Sequence, residues 1–376
     1  MPIGGGSFTV QNKVLPGAYI NFVSMGTNAK MGERGVAALP LELNWGPEGQ
    51  VFKLDAADFN ATSMKVFGYD PTDANILLVR EAMKRAKTLL IYRVNGGGTK
   101  ASATVGGMTV TAKYGGTRGN AIKVAVITNV DDATKADVVT YLDDMVMDSQ
   151  TVAKSGGAAS LVANDFVTFG TVATLAAATA TPLTGGANAT VNAAKHTAAL
   201  TAFEVETFNV IGYPGTVEDI KSLYAAFVKR LRDDEGKKIV GVLYGYDGDN
   251  MGLINVKNGV VLTNGTTITG DKAVAWVTGA SAGAEVNESL TNTAYDDAVD
   301  VDQIHEVPVR SRDQGRRVRI LCRLREGPCP DGHQQPDHHR PEYVFRLGVE
   351  PRRPRHGRLG ERRRPYLRRV LYRPGD

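Results

Sequence analysis

Gly279-Ala280-Ser281-Ala282-Gly283 has the spacing of a nucleophile elbow, in which a serine sits on a sharp turn between a strand and a helix. That chemistry needs a histidine and an acid further along the chain, and every later histidine lies in an arginine-rich C-terminal region. The preceding Ala273–Thr278 reads equally as strand or helix, so the five residues read as a small-residue turn packed closely against a neighbour. A serine hydrolase using Ser281 stays as an alternative. Asp247-Gly248-Asp249-Asn250 has the look of part of a calcium loop, but an EF-hand needs Glu at its twelfth position and Asn258 stands there. A solvated turn is the expectation. Gly115-Gly116-Thr117-Arg118-Gly119-Asn120 could offer backbone N–H groups to a phosphate. It lacks the lysine and hydroxyl of a P-loop, so a hairpin turn is expected.

His196 is the sole histidine before residue 304, and a helix-surface or capping role is expected for it. With one histidine and no cysteine, residues 1–303 lack the common ligands of a structural zinc site. Cys322, Cys329, His333, His338 and His339 fit none of the usual zinc spacings. No catalytic residue, cofactor or metal site is expected.

The elements that would have to position these residues follow from periodicity and turn signals. Residues 1–24 read as an extended arm: glycine at 4–6, then Phe8, Val10 and Val14 at strand-like spacing, a Pro16-Gly17 turn, and a strand over Ala18–Val23. Gly35–Leu43 is a second strand candidate. Asp73–Lys87 has helical spacing, with Ile76, Leu77, Val79, Ala82, Met83 and Ala86 on one face, and Thr88–Val94 follows as a buried strand. Residues 100–190 are rich in Thr, Val, Ala and Gly, with short runs at Ala121–Val126 and Asp137–Leu142, and read as a β-rich insert. Its end, Ala173–Pro182, is nearly low-complexity. Thr207–Ile211, a Gly212–Gly215 turn, a helix and Lys237–Tyr244 form a βαβ unit, which implies a parallel pair. Thr216 is the expected cap of that helix, with Val217, Ile220, Leu223, Tyr224, Phe227 and Leu231 on its apolar face and Lys221 elsewhere. A hairpin is expected over residues 254–268, around Asn264-Gly265. The class is α/β, or α+β multidomain: an arm (1–24), an N-terminal α/β part (25–99), a β-rich insert (100–190), an α/β core (191–303) and a tail (304–376).

The 376 residues suffice for two or three domains. No apolar run approaches the ~20 residues needed to span a bilayer. The N-terminus lacks a basic stretch followed by an apolar one, so no signal peptide and no membrane insertion are expected. The formal charge of +4 conceals two opposite parts. Residues 1–303 hold 18 Lys and 7 Arg against 31 acidic residues, a net of −6; residues 304–376 hold 19 Arg, no Lys and 9 acidic residues, a net of +10. Those last 73 residues also lack Ala, Thr, Asn, Met and Trp.

Arginine- and proline-rich sequence without lysine is what GC-rich coding DNA yields when read out of frame. His305–Val318 can be encoded so that the frame one nucleotide later reads MKYQYEAATKAGE, and Arg355–Pro374 so that the same frame reads GMDGLGNDVARIFDEYYIGQ. A single frame change near Gln303 is the expectation, with residues 304–376 disordered or poorly packed. If the tail is instead a selected sequence, its arginines, with Tyr343, Tyr366 and Tyr372 for stacking, offer a nucleic-acid-binding alternative.

Several stretches resemble contractile tail sheath proteins of Gram-positive prophages. They are Leu15–Phe22, Arg34–Ala37 through Trp45-Gly46-Pro47, Ala86–Gly98, Tyr114–Asn120, Phe208–Gly215, Phe227–Leu243 and Ala273–Asp302. The resemblance covers nearly all of residues 1–303 in order; the shifted-frame strings resemble the family's C-terminal part, and residues 304–376 as they stand do not. It implies a non-enzymatic subunit that stacks as hexameric rings around a tail tube and contracts to drive the tube through a cell envelope. Its partners would be itself, the tube protein, and baseplate and tail terminator proteins, with no specific nucleic acid. It implies assembly in the bacterial host cytoplasm and a final place in the virion tail. The arm would add strands to neighbouring subunits, which makes Phe8, Val10, Val14, Tyr19 and Phe22 the inter-subunit candidates. Another tail structural protein, of tube or baseplate, is a further alternative.

Overall fold

A computed structural model describes residues 35–301, apart from 249, 286–287, 291–292 and 296, together with the backbone of 317–323 and 344–349. The arm, with Phe8, Val10, Val14, Tyr19 and Phe22, lies outside the described residues. In chain order the first elements are β1 (Val36–Leu41), β2 (Val51–Asp55), α1 (Phe59–Phe67), α2 (Leu77–Met83) and β3 (Thr88–Arg93). Next come seven short strands: β4 (Lys100–Val105), β5 (Met108–Gly115), β6 (Ile122–Thr128), β7 (Lys135–Leu142), β8 (Met145–Ala153), β9 (Val167–Phe169) and β10 (Ala178–Pro182). The chain then returns through α3 (Ala193–Glu204), β11 (Val210–Tyr213), α4 (Glu218–Asp233), β12 (Val240–Tyr244) and β13 (Leu253–Val256). It continues with β14 (Val260–Leu262), β15 (Thr267–Ile268), α5 (Gly270–Gly283) and β16 (Ala298–Val301), and two later strands are β17 (Arg317–Arg323) and β18 (Val344–Val349).

The large sheet runs β18-β17-β13-β12-β11-β1-β3-β2. From β17 to β3 its neighbours are parallel, and β18 and β2 are antiparallel additions at the two ends. Parallel strands are buried on both faces, which is why β1 is apolar throughout and β3 carries the apolar run Leu89–Tyr92 between a buried Thr88 and a buried Arg93. Alternate residues serve opposite cores, as the two-residue period of a strand requires. Ala37, Leu39, Leu89, Ile91, Val242 and Val256 join the core under α2 and α5. Ala38, Leu90, Tyr92, Ile211, Leu243 and Leu253 join the one under α3 and α4.

The βαβ unit forms as its periodicity requires, and β11 and β12 pair in parallel from Val210↔Val240 to Tyr213↔Leu243. α4 buries Ile220, Tyr224, Phe227, Val228 and Leu231, carries Glu218 and Asp219 in its first turn, and ends with Arg230 and Arg232, which suits its dipole. Its cap differs from expectation. Val217, not Thr216, occupies the cap position, no side chain caps the helix, and Val217 is exposed rather than on the apolar face. Lys221 is buried; its ammonium bonds Glu218 at 2.9 Å and lies over the Tyr244 ring. The expected hairpin over 254–268 is the shorter pair β14–β15, because Leu253–Val256 is taken by the large sheet.

Residues 100–183 form their own core between a β10-β6-β7-β8 sheet and a β4-β5-β9 sheet. The nearly low-complexity Ala173–Pro182 contains a paired strand, β10 against β6. Gly115–Asn120 is not a hairpin turn: β5 and β6 belong to different sheets, and a 3-10 turn over Thr117–Ala121 carries the chain between them.

Candidate assembly surfaces

The elbow-like motif turns out to be helix packing. Gly279 and Gly283 are one turn apart on α5 and press on the C-terminal end of α2 and the residues just after it, where a Cβ would lie 2.2 Å from the Ala82 carbonyl oxygen and 2.0 Å from that of Arg85. A small-residue contact was the expectation, but on a helix rather than a turn. The Ser281 hydroxyl is buried with no hydrogen-bond partner among the described residues. The core histidine cannot serve it, because α5 and His196 belong to opposite faces of the sheet. The Ser281 hydrolase reading therefore has no histidine to serve as its general base among the described residues.

His196 is not on the helix surface. It is buried on α3, its Nδ1 lies 3.2 Å from the Tyr224 hydroxyl, and its ring meets Tyr213 and Tyr224 edge-on. Tyr213 and Tyr224 stack on each other 5.1 Å apart. Burial pushes the His196 pKa down and that of Tyr224 well up, so the cluster is neutral. Asp247 is a turn carboxylate that accepts from Asn255 at 2.8 Å and Lys257 at 2.6 Å. Among the described residues no three metal-ligating side chains come together, and no helix is long and apolar enough to cross a membrane. The side chains of Cys322, Cys329, His333, His338 and His339 lie outside the described residues.

What the fold does present is open strand edges. Among the described residues β2 pairs only with β3, leaving the backbone groups along its outer side without a strand partner. Val51 and Phe52 are half-buried there and Lys53 is exposed. β8 is the corresponding edge of the insert, with Met145 at 50% and Val146 at 61% exposure. Such edges are templates for pairing with another chain. Neither was visible in the sequence, since β2 gives a short polar-interrupted run, VFKLD, and an edge is a property of sheet order.

One buried polar group of the core stands out. Glu81 on α2 is fully buried, accepts the Tyr295 hydroxyl and Lys84 (2.8 Å), and Lys84 also pairs with Asp297 at 2.7 Å. Burial, then the Glu81 charge, pushes the Tyr295 pKa far above its ordinary value, so the phenol stays a donor. Tyr295 stacks on Trp276, which ties the chain after α5 to the α2–α5 pair.

Three family models match in succession. Residues 34–94 match the tail sheath protein Gp18 domain III N-terminal region, 96–188 the phage tail sheath protein beta-sandwich domain, and 189–304 the phage tail sheath protein central domain. YqbK of Bacillus subtilis (strain 168) is 43% identical over 324 residues, covering 80% of this chain and 67% of that protein. XkdK of the phage-like element PBSX, from the same organism, is 42% identical over 322 residues, with the same coverage. The crystal structure of a sheath tail protein from Desulfitobacterium hafniense superposes with a TM-score of 0.69 at 44% identity, covering 81% of this chain and 72% of that one. A sheath tail protein from Listeria innocua gives 0.66 at 36% identity, covering 78% and 67%. The matched family models and solved structures are those of tail sheath proteins, which are structural and not enzymes, and with the mixed α/β fold they establish that the chain belongs to the phage tail sheath protein family, as a structural component of a phage-type tail.

Proposed function

We propose that this subunit polymerises as stacked hexameric rings around a tail tube and contracts to drive the tube through a cell envelope. The observation that carries the reading is the ordered run of three sheath models across residues 34–304, on a fold in which β2 and β8 are sheet edges among the described residues. In this reading the arm, residues 1–24, adds a strand to a neighbour, with Phe8, Val10, Val14, Tyr19 and Phe22 supplying side-chain contacts. Contraction is then a change between two packings of the same subunits. The partners are other copies of the chain, the tube protein, and baseplate and tail terminator proteins; assembly takes place in the host cytoplasm. The divisions at 25–99, 100–190 and 191–303 belong to the same reading.

The family match ends at residue 304, where the composition changes. We read residues 304–376 as the product of one frame change near Gln303, so the assembling subunit is the frame-restored chain. The test is sedimentation of that chain with and without residues 1–24. The intact chain should form large polymers and the truncated one should remain a folded monomer. Equal polymerisation of both would remove the arm from the account.

A further inference from the structure

The insert joins the core through two segments, residues 94–99 and 184–189, that are rich in glycine and would pass for flexible tethers. Their geometry is the reverse. A Cβ at Gly98 would lie 2.0 Å from the Ala187 carbonyl oxygen, one at Gly115 would lie 2.4 Å from that of Gly98, and one at Gly116 would lie 2.2 Å from that of Asn44. The returning segment also pairs with the outgoing one through Thr99↔Ala187 and with β4 through Ser102↔Thr184. These glycines permit backbone to touch backbone.

One loop of the core, residues 42–49, grips this crossing. Trp45 leaves the core domain's own packing and enters the insert's, 1% exposed, with Phe166 stacked at 6.4 Å and Tyr114 edge-on at 5.3 Å. Three residues on, the Glu48 carboxylate accepts from the Gly97 amide (2.8 Å) on the outgoing segment and the Gly115 amide (2.6 Å) in the insert. It also faces Arg93 at 3.4 Å. Arg93 is itself buried and donates to the Gly46 carbonyl (3.2 Å) and to Asn188 on the returning segment (3.3 Å). In the other direction Arg118 of the insert donates to the Gly68 carbonyl at 2.7 Å and lies over the Tyr69 ring.

We propose that Glu48 is a latch: with Trp45 as a plug, its single carboxylate fixes the insert in one orientation on the core, so the two are one rigid piece. Two of that carboxylate's three contacts reach away from the core, to the Gly97 and Gly115 amides, and the third, Arg93 on β3, holds it from the core side; each domain's apolar core is complete without it.

The test uses the full chain with Cys322 and Cys329 replaced by Ser and spin labels at Asn60→Cys in α1 and Ser149→Cys in β8, both exposed positions. The parent should give one narrow distance distribution. Glu48→Ala should broaden it while hydrogen exchange at Val124 and Val242, inside the two domains, stays as slow as in the parent. Glu48→Gln, which keeps one acceptor oxygen, covers the case in which the alanine variant does not fold, and should broaden it less. A broad distribution in the parent, or variants as narrow as the parent, would overturn the proposal.

Discussion

Gly279→Ala separates the two readings of the Gly279–Gly283 motif by the sign of a stability change. In an exposed helix the substitution would stabilise by about 1 kcal/mol, because glycine is the poorer helix former. Here the new Cβ would meet the Ala82 carbonyl oxygen at 2.2 Å, so α5 would have to retreat about 1.2 Å to reach the 3.4 Å of ordinary contact. The retreat is blocked. On its sheet side α5 already presses Thr278 against Gly212, where a Cβ would lie 2.1 Å from the Thr278 hydroxyl oxygen. Overpacking of this kind costs about 1–3 kcal/mol, and a helix pinned from both sides belongs at the upper end. Net of propensity, Gly279→Ala should destabilise the core by about 2 kcal/mol. The assay is urea unfolding followed by Trp276, which sits on α5 and is buried, in a Trp45→Phe background so that only the core reports. An unchanged or raised midpoint would refute the packing argument.

Three further outcomes follow from the same geometry. Ser281→Ala should leave stability equal or slightly higher, since it removes a buried hydroxyl without a partner among the described residues, and should change no esterase activity; a Ser281-dependent ester hydrolysis would contradict this. Trp45→Ala should cost the insert about 3–5 kcal/mol, read by hydrogen exchange at Val124 and Val138, because a fully buried aromatic is lost. Around pH 6.5 and just below, His196 makes the stability of the core depend on pH. Its folded pKa is below the unfolded 6.5, so its stabilising contribution is complete above pH 6.5. Below that, the unfolded chain binds the extra proton first, and stability falls until the depressed folded pKa is passed. His196→Phe should remove this loss in Trp276-monitored unfolding, and an unaltered pH profile would count against it.

Much of the fold was legible because its periodicities are strong. The helix of the βαβ unit and the β-rich insert come from runs whose burial repeats at 3.6 or two, and the buried β1 and β3 strands from short, continuously buried apolar runs. Failures came where tertiary contacts decide. Residues 59–67, FNATSMKVF, give a helix with few strong helix formers, because Phe59 and Phe67 anchor it on the core. His196 looked partnerless because Tyr213 and Tyr224 reach it from different elements. The joint residues had only faint signals: a tryptophan beside Gly46-Pro47, and an arginine inside an apolar strand. Their roles depend on which backbone crosses them.

Electron microscopy of the frame-restored chain, purified and imaged with and without a tail tube, decides whether this subunit builds a sheath. Striated tubes of stacked rings are the expected result. A folded chain that remains monomeric at every concentration, with the tube present, would contradict it.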